Sequence, residues 1–153
     1  MYQLVYVSSM RAGLSEDDLK DILSQARRTN KSLGISGILV CLGDCFLQVL
    51  EGEPECVREL YAKIENDPRH SGVKVLAESD VAERTFPDWS MGFRMAGSDD
   101  LYMAGFLALA RRALEGRSSR TDAIILQNII KTFYRPDNAP EADIERDPVL
   151  NVA

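Results

Sequence analysis

The order of hydrophobic periodicities constrains this chain most. Tyr2 to Ser8 reads as an apolar strand, after which Leu19, Ile22, Leu23 and Ala26 recur at helical spacing behind a Ser15 cap answered by Asp18. That helix is expected to end near Thr29, with Asn30 to Gly34 as its exit loop. Gly34 to Cys41 forms a second strand, which turns at Leu42-Gly43-Asp44 and returns as Cys45 to Glu51, a hairpin signature ended by Gly52. Pro54 opens a second helix whose buried face is Val57, Leu60, Tyr61 and Ile64, closing at Asn66-Asp67-Pro68. Val73 to Val81 supplies the next strand. Strand, helix, strand, strand, helix, strand is the split βαβ order, so an α+β, ferredoxin-like (βαββαβ) sandwich with one mixed sheet is expected.

Side chains alternate along a strand, which puts Tyr6 on one face with Leu4 and Ser8, and Gln48 with Phe46 and Leu50. Both faces are apolar, and two helices cover only one of them. Two later segments are candidates for the other face. The first begins at Ser98 and carries Leu101, Met103, Phe106, Leu107, Leu109 and Leu114; it suits an oligomer or transmission surface equally well. The second runs from Asp122 to Tyr134 with Ile125, Ile129 and Phe133 at spacing of four, and Arg135-Pro136 should end it. Residues 1–97 then form the sandwich, 98–135 a helical extension and 136–153 a mobile acidic tail.

Within this pattern Tyr6 and Gln48 stand out as polar residues on apolar strands. A buried glutamine carries two donors and two acceptor sites that must be answered, so something polar is expected against it. Composition narrows the choice. With 45% hydrophobic and 27% charged residues and no apolar run near the roughly 20 residues of a membrane span, a cytoplasmic globular protein is expected, and no signal peptide is evident. The three cysteines, Cys41, Cys45 and Cys56, form no CxxC pair, and His70 is the only histidine, which disfavours disulfide frameworks and metal centres. A net charge of −6 disfavours direct nucleic-acid binding, so an anionic ligand would need a local basic patch.

Five motifs carry a resemblance to a known family. They are Leu4-Val5-Tyr6-Val7-Ser8; Arg28-Thr29-Asn30 followed by Gly34-Ile35-Ser36-Gly37; Phe46-Leu47-Gln48-Val49-Leu50-Glu51-Gly52; Asp67-Pro68-Arg69-His70; and Phe86-Pro87-Asp88-Trp89-Ser90-Met91-Gly92-Phe93. In this order, over about residues 1–95, the chain resembles the BLUF family, blue-light sensors using FAD. The resemblance implies a flavin, FAD with FMN as the alternative, held between the two helices against the face bearing Tyr6 and Gln48. It further implies that Asn30 bonds the polar pyrimidine edge, that Ile22 and Ile64 sandwich the ring, and that Lys63, Asp67, Arg69 and His70 lie toward the ribityl-phosphate end. Light would draw an electron and then a proton from Tyr6, the Gln48 amide would rotate or tautomerise, and Trp89 and Met91 would form the bistable element beyond it.

Two departures from the family pattern concern Thr29, where a second asparagine is common, and Ser36, where threonine is common. No enzymatic segment follows the sensor motifs, so output is expected through a separate partner: a response regulator, a cyclic-nucleotide enzyme or a transcription factor, with a homo-oligomer expected. Two other readings remain open from the residues: a small ferredoxin-like enzyme, such as a flavin oxidoreductase or acylphosphatase-type hydrolase, and a flavin-free interaction module. The first lacks a nucleophile beside a base, and the second leaves Tyr6, Asn30 and Gln48 without a purpose.

Overall fold

The computed structural model describes residues 1–96 and 101–132. In chain order the elements are β1 (Tyr2–Met10), α1 (Glu16–Leu33), β2 (Ser36–Leu42), β3 (Cys45–Gly52), α2 (Pro54–Glu65), β4 (His70–Asp80), β5 (Gly92–Ala96), α3 (Leu101–Leu114) and α4 (Arg120–Lys131). One mixed sheet has the order β4-β1-β3-β2-β5, in which β1, β3, β4 and β2 pair antiparallel and β5 joins β2 in parallel. The βαββαβ frame expected from periodicity is present.

Alternation sorts the core into two layers. Leu4, Tyr6, Leu39, Phe46 and Leu50 lie beneath Leu19 and Leu23 of α1 and Val57 and Leu60 of α2. Val5, Val7, Ile38, Val40, Leu47 and Val49 point the other way, against Phe106, Ala110 and Ala113 of α3 and Leu126 and Ile130 of α4. The second face is therefore covered by the C-terminal helices. Sheet faces left bare would cost about 25 cal/mol for each Å² of apolar surface exposed, so this cover matters.

Local chemistry explains the boundaries. Ser15 accepts from the Asp18 amide while Asp18 answers the Ser15 amide, a capping box that starts α1 as expected. Ser119 and Asp122 repeat the device at α4. Gly34, at φ +66°, ends α1 in the left-handed conformation and donates to the Asn30 and Lys31 carbonyls. The helix therefore runs past Thr29, and Asn30 lies inside it rather than in an exit loop.

Three further expectations are revised. β4 begins at His70 rather than Val73, because the chain pairs with β1 through Ser71↔Ser9 and His70↔Met10 across a register irregularity. β5 was not foreseen from the sequence; its five residues are held by parallel pairing with a strand far away in sequence. On α4, Leu126 and Ile130 are buried, whereas Ile125 is 40% exposed and Ile129 only partly buried. Ser98, Phe133 to Pro136 and the tail at 136–153 lie outside the described residues, as do the side chains of Leu101 and Met103. Among the described residues no helix is long and apolar enough to cross a membrane, and no cluster suits a metal ion.

Candidate functional site

The antiparallel register sets Tyr6 of β1 directly opposite Gln48 of β3, and the Tyr6 hydroxyl donates to Gln48 Oε1. Both side chains are buried. Burial holds the Tyr6 phenol well above its ordinary value, reinforced by the neighbouring Tyr61 and Asp67. The phenol thus keeps its proton, which it gives to the Gln48 oxygen. The other end of the amide, Nε2, donates to Met91 Sδ at 3.3 Å. Thioether sulfur is a weak acceptor, so this end is held less firmly than the oxygen end.

Tyr6 and Gln48 form the floor of a cavity of about 180 Å³ between α1 and α2. Ile22, Gln25, Ala26, Thr29 and Asn30 line it from α1; Leu60, Lys63 and Ile64 line it from α2; Leu39 and Phe46 complete the sheet side. Asp67, Arg69 and His70 close one end. Asn30 is 1% exposed and gives one amide hydrogen to the Ser90 carbonyl at 2.7 Å. The rest of the amide group borders the cavity, where a polar occupant could bond it.

The charged end is more structured than the sequence implied. Arg69 bonds both Asp67 oxygens and also Gln25 Oε1 at 3.1 Å, which holds the Asp67 carboxyl below its usual range. Lys63 pairs with Glu59 at 3.2 Å on the exposed side of α2. His70 Nε2 lies 2.5 Å from the Ile64 carbonyl and Nδ1 2.8 Å from Ser8 Oγ. A carbonyl only accepts, so Nε2 carries a hydrogen, and His70 presents its ring rather than a spare nitrogen to the cavity.

Trp89 and Met91 do not sit side by side. Met91 packs on the cavity face, while Trp89 lies on the opposite face, stacked on Phe86 with ring centroids 5.8 Å apart. Strand parity would have kept them together, but both precede β5 and the chain bends between them at Ser90 and Met91. Three successive carbonyls pin this bend: Gly37 N donates to Trp89 at 2.9 Å, Asn30 to Ser90, and Arg27 Nε to Met91 at 2.9 Å. Arg27 was missed from the sequence, although it stands one helical turn before Asn30 on a shared face. Ser36, one of the two departures, is not at the cavity; its hydroxyl accepts from Arg84 at 2.7 Å. Thr29, the other, does line it.

Apolar walls, the Asn30 amide in the lining, and Lys63, Arg69 and His70 along it fit a flavin and its phosphate tail. The chain also matches, over residues 1–92, the family model described as BLUF, sensors of blue-light using FAD. The chain belongs to the BLUF family. It is 36% identical over 89 residues, 58% of this chain and 10% of the relative, to photoactivated adenylate cyclase subunit beta of Euglena longa. Over 106 residues it is 32% identical to the blue light- and temperature-regulated antirepressor BluF of Escherichia coli K12, covering 67% of this chain and 26% of that one. The chain therefore spans a small part of these curated relatives. Among solved structures, the dark state of the BLUF protein BlrB superposes with TM-score 0.68 at 30% identity, covering 87% of this chain and 96% of that one. Residues 1–92 are thus a BLUF domain, a sensor of blue light that uses FAD.

Proposed function

We propose that the Tyr6–Gln48 pair is the light-operated switch of this sensor and that the cavity between α1 and α2 is its flavin site. The observation that carries this reading is the cross-strand bond from Tyr6 to Gln48 Oε1, with the other end of the same amide on Met91, both ends at the cavity floor. A flavin held there would supply absorption of blue light and take up one electron and one proton reversibly. Tyr6 would be the electron donor, and its hydroxyl proton would move along the existing bond to Gln48 Oε1 while Nε2 gives up one, which leaves Gln48 as the imidic tautomer. Return of the electron and the proton to Tyr6 would close the cycle, with the Gln48 side chain turned or tautomeric. The N–H now on Met91 would then be turned away from it. Asn30 anchors the inner edge of the ring, Ile22 and Ile64 flank it, and Lys63 and Arg69 take its phosphate.

Turning Gln48 removes its N–H from Met91, and a net change of about 1 kcal/mol is enough to bias a local two-state element. The Trp89–Met91 bend is that element. Residues 1–97 act as sensor, and α3 with α4, packed on the far face, carry the signal to a separate protein. A cyclic-nucleotide enzyme or a transcriptional regulator is the partner class favoured by the similarity to a photoactivated cyclase subunit and an antirepressor. Purified protein should be yellow and show a small, reversible red shift under blue light; Gln48→Leu should keep the flavin and lose the shift. A full shift in that variant would overturn the assignment.

A further inference from the structure

Glu51 is 0% exposed, lies on β3 three positions beyond Gln48, and points to the opposite face of the sheet. Its carboxyl group meets donors only: Gln3 Nε2 at 2.7 Å and Thr85 N at 2.8 Å on Oε1, and Phe86 N at 3.0 Å on Oε2. Arg84 fastens the same segment by donating to the Glu51 carbonyl at 2.9 Å and the Gly34 carbonyl at 2.6 Å. An apolar residue at 51 would leave the Gln3 amide and the Thr85 and Phe86 N–H groups unanswered, so the acid fixes the 84–86 segment to β3, and a fixed segment transmits movement only if it has a further contact.

The neighbours supply one. Phe86 stacks on Trp89 and, with Gln127 and Ile130 of α4, borders a small crevice beside Gln3. One strand thus carries Gln48 toward the cavity and Glu51 toward the helix layer. We propose that Glu51 is a positioning residue of the light response: it couples movement of β3 at Gln48 to the 84–86 segment, and through Phe86 to α4. This rests on the Gln48 switch proposed above. The bend at 89–91 is pinned separately, so Glu51 gives the signal a route that does not require Trp89 to leave its face of the sheet.

E51Q tests the coupling, because the amide keeps the shape but sets an N–H₂ against the backbone N–H of Thr85 or Phe86, which can only donate. Flavin absorption and amide hydrogen exchange are measured on the full chain in darkness and under continuous blue light. In the unsubstituted chain, light is expected to raise exchange at the Thr85 and Phe86 amides and in α4 several-fold. In E51Q the red shift should persist, dark exchange at Phe86 should rise on the order of tenfold, and the light-to-dark ratio at Phe86 and α4 should fall to one. An E51Q protein whose light-to-dark ratios match those of the unsubstituted chain overturns the proposal. If E51Q does not fold, Thr85→Pro removes one held amide from the other side of the contact, and the same two results decide. A chain with no red shift contradicts the proposed switch instead; a normal shift with no light response at residues 85–86 contradicts the coupling alone.

Discussion

At Gln48, the two ends of one amide meet neighbours of unequal strength. The oxygen takes a phenol that burial keeps protonated, while the nitrogen takes a thioether; reversal gives up both bonds, and the Tyr6 oxygen can then accept from Nε2 in place of donating to Oε1. The raised Tyr6 value has a measurable consequence. Below about pH 10 the phenol is protonated in folded and unfolded chains alike; above it the unfolded chain releases the proton first, so stability falls as pH rises, by up to about 1.4 kcal/mol per pH unit. Tyr2, Tyr61 and Cys41 are raised in the same direction by burial, Cys41 to about 12. Comparison with Tyr6→Phe isolates the Tyr6 share: urea denaturation between pH 9 and 11 should show a shallower decline in the variant, and an unchanged slope would contradict the role of burial (window set by the ordinary tyrosine value near 10). That Tyr6 and Gln48 share a face was legible from strand alternation. That Asn30 would lie inside a helix was not, because its position depends on Gly34 carrying the cap one turn later.

Among the elements, the helices are set by caps and the strands by pairing partners, and the two differ in how far a sequence reveals them. The Ser15 box and the hairpin turn are local and could be read directly. β5 could not, since five residues acquire strand conformation only by parallel pairing with β2. The bend before it split Trp89 from Met91, and Gly92 shows how closely the chain folds back there: a Cβ at that position would lie 2.3 Å from the indole ring. The expected face of α4 differs because Ile125, at the helical spacing of a core residue, is exposed, whereas the buried stripe begins at the capping Asp122, which also meets Arg112 of α3 at 3.2 Å. Ser119→Ala should therefore lower global stability by about 1 kcal/mol, read from the denaturation midpoint. A change near zero would show that α4 is not part of the cooperative unit.

For the whole molecule, one sheet separates the cavity and its helices α1 and α2 from the layer of α3 and α4, and β3 touches both through Gln48 and Glu51. This two-sided construction predicts the result of shortening the chain. Ending it at residue 97 would uncover Val5, Val7, Ile38, Val40, Leu47 and Val49 together, a contiguous apolar face of the kind that drives association. Size-exclusion should find that form aggregated; a soluble monomer would show the far face needs no cover. The need for a second cover was legible in the sequence because both strand faces were apolar, whereas the cavity is assembled from residues scattered over six elements. The central claim is that light reverses the Gln48 amide. It is tested most directly by the side-chain amide resonances of nitrogen-labelled glutamine, recorded in darkness, under blue light and after recovery. The account predicts a Gln48 N–H₂ signal that moves on illumination, returns in the dark with the same time course as the red shift, and is absent in Gln48→Leu. A red shift that comes and goes while the Gln48 signal stays fixed would contradict it.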